Sequence, residues 1–577
     1  PLKHRDRDVE RESSITTDDD DDMRALVTNQ APSARSRYLR PCGAVAVLVG
    51  AVLLLARSLH REFGSLDELH LVTWNIAAIN NNPFEYWITH EDADYNKLMT
   101  DVQAFIDAPA ERDVAVSSVF TDAMWTDLKA EMAGRGWSGL EETEAVWRGD
   151  FSARKIISGF MKDGSLGEKR LASMPDRYTN TINLADGKKA NRPTVINCYA
   201  GDMTTLPKWW SEWKRFMFHT KLTLPGGSRG PMSTEPAGLL SKISRSKYPA
   251  VTAAEEAISI PLQTLAQAIF DAILVHIVST VSPSGKWQQL QQQMCDALNR
   301  RKDEVTIDIL RDVYDDAHVV FLQEAAAAFV KKAEDSVLGE HYVVARSSSL
   351  DGKRDQNSVI LLCNQLFTAA SVQEHTQAVM SSFDKSVPVA NGDLLVISAV
   401  DVVGRKYLLA SFHGDTNGLA TLRVLEAVHK LALTMPSHTL LFGLDANTYE
   451  RGSASKQGVT EFARDFVAKG YSSCWGDSPD PKRHTTYNAR TFLQAQLQKA
   501  ARADEKISKG DKNPKDFILF PARAATVLQA GRDNTGAKQY DDSMVFPTLK
   551  FPSDHGIVHA SLKLAASAGA KDRGALR

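Results

Sequence analysis

FPSDHGIVHASL, residues 551–562, decides how the rest of the chain is read. A polar triplet, Ser553-Asp554-His555, leads straight into the apolar run that begins at Ile557, the pattern of side chains at the mouth of a buried strand. The same arrangement recurs in HTLLFGLDAN, residues 438–447, where an apolar run ends in Asp445 and Asn447. Working outward, Asn75 closes LVTWN, Glu324 closes VVFLQE, His413 follows LLASF and Asp516 opens DFILF. Singly, each residue is ordinary, because Asx residues at strand ends usually form turns and a lone histidine is more often a surface or satisfied core residue. The ordered set of acids, amides and imidazoles at strand ends is what departs from that background.

Around these motifs the chain has two textures. From about residue 317 short strand-like runs alternate with turns and helices, which predicts layered sheets flanked by helices. One strand, near residues 69–76, stands apart at the N-terminal side, and helical periodicity dominates residues 94–310. The helical part, 77–316, therefore reads as an insertion within a domain spanning 62–564. Inside it, residues 257–281 are long enough to cross a bilayer. They carry Pro261, Asp271 and His276, and a charge near the centre of a span costs about 2.5–3.5 kcal/mol, so a buried, partly amphipathic helix is expected. LPKWWSEWKRFMFH, residues 206–219, interleaves aromatics with cations. Trp209, Trp213 and Phe216 fall on one helical face, as a core face does; stacking on bases or a membrane interface is the alternative.

The chain has 577 residues, is 43% hydrophobic and 24% charged, and carries a net charge of −3. That excludes a wholly disordered or multi-spanning protein and a globally basic nucleic-acid coat, while a local basic groove stays open. Five cysteines, Cys42, Cys198, Cys295, Cys363 and Cys474, are too few and too scattered for a disulfide scaffold or a zinc ribbon. Buried free thiols are expected, and any disulfide pairing stays open. Residues 1–41 and 565–577 read as disordered tails. Residues 42–56, CGAVAVLVGAVLLLA, form an uncharged run flanked by arginines. As a helix it measures roughly 22 Å, short of the ~30 Å hydrocarbon core, a length that thin bilayers and snorkelling arginines accommodate. A single-pass anchor or signal segment is expected, with a cleaved signal and a buried soluble helix as alternatives. The arginine bias favours a lumenal or extracellular catalytic part over a cytosolic one. No N-x-[ST] acceptor supports that side. The sequence begins at Pro1, as a fragment or processed product does.

The order Asn, Gln-Glu, His, Asp-x-Asn, Asp, Ser-Asp-His resembles that of the endonuclease/exonuclease/phosphatase (DNase I-like) superfamily, over about 70–76 and 317–563. The resemblance implies a four-layered α/β sandwich, here with a large, mostly helical insertion. It also implies a hydrolase that cleaves phosphoester bonds with Mg²⁺, or Mn²⁺ in its place. Carried over residue by residue, it makes Glu324 the principal metal ligand, with Asn75 in or beside the ligand sphere and Asp554 as a further ligand. Asp445 would orient and deprotonate water, and Asn447 would donate to the phosphorus centre. His555, polarised by Asp516, and His413 would contact phosphate or the leaving group. Arg354 and Asn357, in KRDQNSVILL, would bind substrate.

Such chemistry needs oxygen ligands because Mg²⁺ is hard and keeps its waters, and cationic donors because a phosphodiester repels nucleophiles. Two departures stand out. The family spaces its Asn and Glu motifs by tens of residues, whereas roughly 250 separate Asn75 from Glu324. Leu444 also stands where relatives commonly have Gly before the Asp. DANTYE and PKDFILF disfavour the inositol-polyphosphate phosphatase branch, and FPTLKFPSDHGIVHASL looks most like the closing segment of deadenylase-type nucleases. The expected enzyme is a membrane-tethered phosphodiesterase or nuclease acting on nucleic acid or phospholipid. The alternatives are a lipid phosphodiesterase or phosphatase of the same superfamily, or a catalytically idle tethered scaffold. Oligomeric state stays open.

Overall fold

The computed structural model describes residues 67–565 apart from 227–230, 351–353, 385 and 496. The tail 1–41, the apolar run 42–56 and the C-terminal tail beyond Ala565 lie outside the described residues.

Twelve strands build two sheets. In chain order they are β1 (Glu68–Asn75), β2 (Val319–Ala325), β3 (Tyr342–Ala345), β4 (Asn357–Cys363), β5 (Gln373–Glu374) and β6 (Leu394–Val400). They continue as β7 (Lys406–His413), β8 (His438–Asp445), β9 (Tyr471–Ser473), β10 (Asp516–Pro521), β11 (Ala525–Asp533) and β12 (Ile557–Leu564). The first sheet runs β11-β12-β1-β2-β4-β3 and the second β9-β10-β8-β7-β6-β5.

Inner strands such as β2, β4, β7 and β8 bury both faces, which is why they read as continuous apolar runs rather than alternating ones. In β6, Leu395 and Ile397 join the core between the sheets, while Leu394 and Val396 face an outer cluster. That outer cluster includes Val424 and Val428 of helix Thr421–Thr434, and Phe462 and Phe466 of helix Val459–Ala468. On the far side of the first sheet, helix Ala327–Glu334 packs on β3. The result is a four-layered α/β/β/α sandwich. At Gly443 in β8 the sheets come so close that a Cβ would lie 2.3 Å from the Phe321 ring of β2, so only glycine fits.

β1 and β2 are parallel neighbours, and a parallel pair needs a crossover. Here the crossover is the whole stretch 76–318, mostly helical. At its centre lies helix Ser259–Val281, among the described residues the one helix long and apolar enough to span a bilayer. Every residue from Pro261 to Val275 is buried, so the expected amphipathic face is absent: helices Ala93–Asp107, Asp122–Gly134 and Leu206–Lys214 pack around it. Its Asp271 is fully buried and accepts from Arg192 Nε (2.8 Å), Thr194 Oγ1 (2.7 Å) and Trp213 Nε1 (2.9 Å). Trp209, Trp210 and Trp213 are all buried, so the aromatic segment is core and presents no stacking surface.

Two sequence expectations change. Cys198 and Cys295 are joined in a disulfide, with Cα atoms 5.6 Å apart, while Cys363 and Cys474 are buried free thiols. The pair is set by tertiary docking of helix Lys286–Cys295, whose Gln291 donates to Val195 O and Asn197 O, and no local spacing announces it. β11 carries no apolar signal because it is an edge strand with most residues exposed or half-exposed.

Two outcomes follow from buried titratable groups. Asp271→Ala leaves the Arg192 guanidinium buried beside the half-buried Asp176 alone, and chemical denaturation is expected to show a loss of about 3–5 kcal/mol. His318, at the start of β2, accepts the His70 N–H on Nδ1 at 2.9 Å, which requires a neutral ring. Burial, aided by His70, pushes its pKa down to about 4. As pH falls, the unfolded chain takes up this proton first, near its ordinary 6.5. The stabilisation is therefore complete above pH 6.5 and lost between 6.5 and 4, by up to about 3 kcal/mol. His318→Gln, which does not titrate, is expected to flatten the stability curve over that interval.

Candidate functional site

The strand ends that the motifs mark converge. β7, β8 and β10 are adjacent, and His413 pairs with Asp445, which pairs with Asp516. Three polar side chains therefore stand in one row across the second sheet. In the first sheet, Asn75 lies opposite Gln323, so Glu324 ends the neighbouring strand one residue further on. Between Leu322 and Ala325 the β2–β4 register breaks. Such a bulge re-aims a side chain, and Glu324 also takes a left-handed backbone (φ 54°), as does Asn447 (φ 47°), conformations costing on the order of 1–3 kcal/mol outside glycine. Gln323 Nε2 bolts the sheets together, donating to Thr73 Oγ1 at 3.1 Å and to Ser411 Oγ of β7 at 3.0 Å.

At the junction Asn75 Nδ2 donates to Glu324 Oε1 (3.1 Å) and Asp445 Oδ2 (3.0 Å). Its Oδ1 accepts from Ala77 N–H at 2.9 Å, so this amide turns its nitrogen, not its oxygen, toward the carboxylates. Glu324 Oε2 accepts from Ala78 N–H at 2.8 Å, and His413 Nε2 lies 3.3 Å from Oε1. Burial works against ionising Glu324, but His413, the Ala78 N–H and Asn75 outweigh it and hold its pKa down at about 2.

His555 Nδ1 meets Asp516 Oδ2 at 3.0 Å, and Nε2 lies 3.6 Å from Asp445 Oδ2. Burial disfavours the charged ring, yet Asp516 and Asp445 raise its pKa to about 10. Burial raises the pKa of the Asp516 carboxyl as well, so the pair shares its proton along the Nδ1–Oδ2 bond. Asp516 is also held by Thr485 Oγ1 at 2.5 Å. Asp554, whose pKa burial raises, accepts from Asn488 Nδ2 at 3.2 Å. Ser553 Oγ donates to Asn75 O at 2.6 Å and accepts from His555 N–H at 3.0 Å, which pins the Ser-Asp-His turn beside Asn75.

Asn447 N–H donates to Asp445 Oδ1 at 2.9 Å. Lys515 Nζ donates to Asn447 Oδ1 at 3.0 Å, which fixes the amide and leaves Asn447 Nδ2 buried without a partner among the described residues. Leu444 points the other way, into the outer helix-facing cluster, so its bulk does not enter the turn. Arg354 and Asn357 lie beside Glu324 and His413, with their hydrogens directed to protein partners. Arg354 pairs with Asp393 and donates to Gln356 O. Asn357 spends both amide hydrogens on Ala325 O and Arg354 O, closing the bulge rather than facing outward.

Several contributors escape sequence reading. Lys302, buried at the start of helix Lys302–Val313, donates to Ile76 O and Pro552 O, tying the crossover to both strand-end turns. Burial pushes its pKa down to about 8. Gln356, Thr485, Asn488 and Lys515 sit in loops, and only the adjacency of Lys515 to Asp516, and the density of Thr and Asn in HTTYNAR (484–490), hint at them.

Asp445, Asp516 and His555 offer ligand atoms within 4.8 Å of one another. Within the trio, Asp516 is bonded to His555 Nδ1, whose Nε2 faces Asp445, so it also reads as a hydrogen-bonded relay. Glu324 and Asp554 offer oxygen atoms alone, the donor type a hard cation takes.

A family model described as "Domain of unknown function (DUF8234)" matches residues 113–292, inside the crossover. No curated protein sequence matches the chain. Among solved structures, a D. rerio TDP2 complexed with single-strand DNA product is 15% identical, with TM-score 0.30, covering 46% of this chain and 92% of that one. The human Nocturnin catalytic domain with bound sulfate is 11% identical, with TM-score 0.30, covering 46% and 87%. ANGEL2, described as a 2′,3′-cyclic phosphatase, is 13% identical, with TM-score 0.31, covering 46% and 86%. Likeness at this level decides nothing about activity.

Asn75 is fully buried and bonds two carboxylates, so Asn75→Ala is expected to cost about 1.5–3 kcal/mol. Asn75→Asp is expected to cost more, because it adds a third anion where a donor stood. Denaturant titration of both variants at pH 7 reads the ranking.

Proposed function

We propose that the chain is a divalent-metal-dependent phosphoester hydrolase, a phosphodiesterase or nuclease. The observation that carries this reading is the gathering of His555 Nε2 at 3.6 Å, His413 Nε2 at 3.7 Å and the Asn447 backbone N–H around the Asp445 carboxylate. Together they surround an anion with donors and set a base against it. Glu324 and Asp554 would hold Mg²⁺ or Mn²⁺, with Asn75 orienting Glu324. Such an ion, when bound, neutralises charge on the phosphate and the leaving group.

The chain's own groups supply the rest. Asp445, kept in place by Asn75 and the Asn447 N–H, orients water and takes its proton. Asn447 Nδ2 donates to a nonbridging phosphate oxygen. His555 brings a positive charge to the phosphate, and Asp516 holds its Nδ1 proton so that Nε2 faces Asp445. His413 Nε2 is placed to bind phosphate or protonate the departing oxygen. Arg354 and Asn357 serve instead as supports of the bulge that presents Glu324.

Tethering through residues 42–56 belongs to the same reading. Its support is the apolar run between arginines. The Cys198–Cys295 disulfide fits an oxidising compartment and so a lumenal or extracellular catalytic side.

The full chain, incubated with single-stranded RNA, plasmid DNA, sphingomyelin, phosphoinositides and bis-p-nitrophenyl phosphate, is expected to turn over at least one of them with Mg²⁺ and none with EDTA. Glu324→Ala and Asp445→Ala are each expected to lower turnover at least ~10²-fold. Turnover that survives EDTA or both substitutions contradicts the mechanism, and an inactive chain across the panel favours a tethered scaffold.

A further inference from the structure

A cavity of about 390 Å³ opens between the crossover and the strand sandwich. That volume lies in the range of small-molecule sites. Its walls are unusual for their carboxamides: Asn80, Asn81, Asn82, Asn180 and Gln494 all line it.

Two of its walls are joined along the chain to residues that touch the strand-end cluster. On one side the backbone leaves Asn75, gives its Ala78 N–H to Glu324 and runs on as the asparagine triplet. On the other, residues 485–494 start at Asp516, to which Thr485 is bonded, and pass His555, bridged by Thr486. Asn488 then touches Asp554, Arg490 bridges Tyr86, and Gln494 ends in the wall. At about 3.3 Å per extended residue, Arg490 lies only about 7 Å beyond the residue that contacts Asp554. The crossover supplies the third wall through Asp176, Arg177, Asn180 and Thr181.

The walls are rich in carboxamides and slightly cationic. The two acids of the lining are already matched: Glu85 pairs with Arg490 at 2.8 Å and Asp176 with the buried Arg192 at 2.6 Å, and the exposed Arg177 adds a further positive charge to the lining. The amides are held in place: Asn80 Nδ2 by Glu85, Asn180 Nδ2 by Asp176 and Ile196 O, and Asn81 Oδ1 by Asn299 and Lys189. Fixed donors and acceptors recognise a polar group with several hydrogen-bonding positions, and they reject an acyl chain, which would strip them of water without return.

We infer that this cavity seats the non-reacting part of the phosphoester substrate, a polar group rich in hydroxyl or amide edges, and that the crossover exists in part to form its outer wall. The inference rests on the phosphoester reading of the adjoining site. A nucleoside and a polyol headgroup share this chemistry.

Binding to the full chain in EDTA separates the sources without using turnover. The probes are adenosine 5′-monophosphate, inositol 1-phosphate, dihexanoyl phosphatidic acid and inorganic phosphate, followed by calorimetry. Adenosine monophosphate or inositol phosphate is expected to bind at least tenfold tighter than inorganic phosphate. Whichever does so names the source. Asn81→Leu, equal in side-chain heavy atoms but without hydrogen-bonding groups, is expected to bring that ligand down to the level of inorganic phosphate, and Asn81→Gln to restore part of the gain, with thermal melting as the check on folding. Equal binding of all phosphates, tightest binding of the acyl ligand, or an advantage untouched by Asn81→Leu overturns the cavity's role while leaving the phosphate site standing. Absence of binding by every probe overturns both.

Discussion

The bond pair made by one buried amide organises this molecule. Asn75 belongs to the first sheet, and its Nδ2 reaches Glu324 of the same sheet and Asp445 of the other. Without a donor between them, two carboxylates at the meeting point of two sheets repel at short range in a medium that screens poorly. With it, the two carboxylates share one donor, and Glu324 is favoured as the anion. The supporting structure serves that geometry: Gln323 bolts the sheets one residue earlier, Gly443 lets them approach, and Ser553 and Lys302 clamp the turns on either side.

The crossover acts through the same junction. It leaves the first sheet directly after Asn75, beside the cluster, and returns at Val319, which lies against Leu71 toward the other end of β1. Its interior is a conventional helical core around helix Ser259–Val281, stabilised by the satisfied Asp271–Arg192 pair. It reaches the site through the Ala78 N–H on Glu324 and through Lys302, which holds two backbone carbonyls, while Asn80–Asn82, Asn180 and Thr181 line the cavity. A segment of this size placed between two adjacent strands leaves the sandwich intact because loop closure cost grows only slowly with length.

Legibility from sequence divides along a physical line. Strands buried on both faces announce themselves as apolar runs, and the residues that end them, from Asn75 to His555, lie where those runs stop. Their convergence follows from sheet register, which pairs His413, Asp445 and Asp516. What sequence does not reveal is direction and partnership. Arg354 looks exposed and cationic, but Asp393, 39 positions away, takes it. Asn357 looks like a phosphate donor until the bulge claims both its hydrogens. The Asn75 amide reads as an oxygen ligand, whereas its own turn, through Ala77, takes the oxygen. Edge strand β11 and the Cys198–Cys295 pair depend wholly on tertiary placement and leave no local trace.

The central claim is that Glu324 and Asp554, not the Asp445–His555–Asp516 relay, hold a divalent cation at this junction. Anomalous scattering from crystals of the chain soaked in Mn²⁺ tests it most directly. The expected result is one strong peak within ligand distance of Glu324 and Asp554 carboxylate oxygens, with His555 still bonded to Asp516. A peak ligated by His555, or no peak near Glu324 at saturating Mn²⁺, contradicts it.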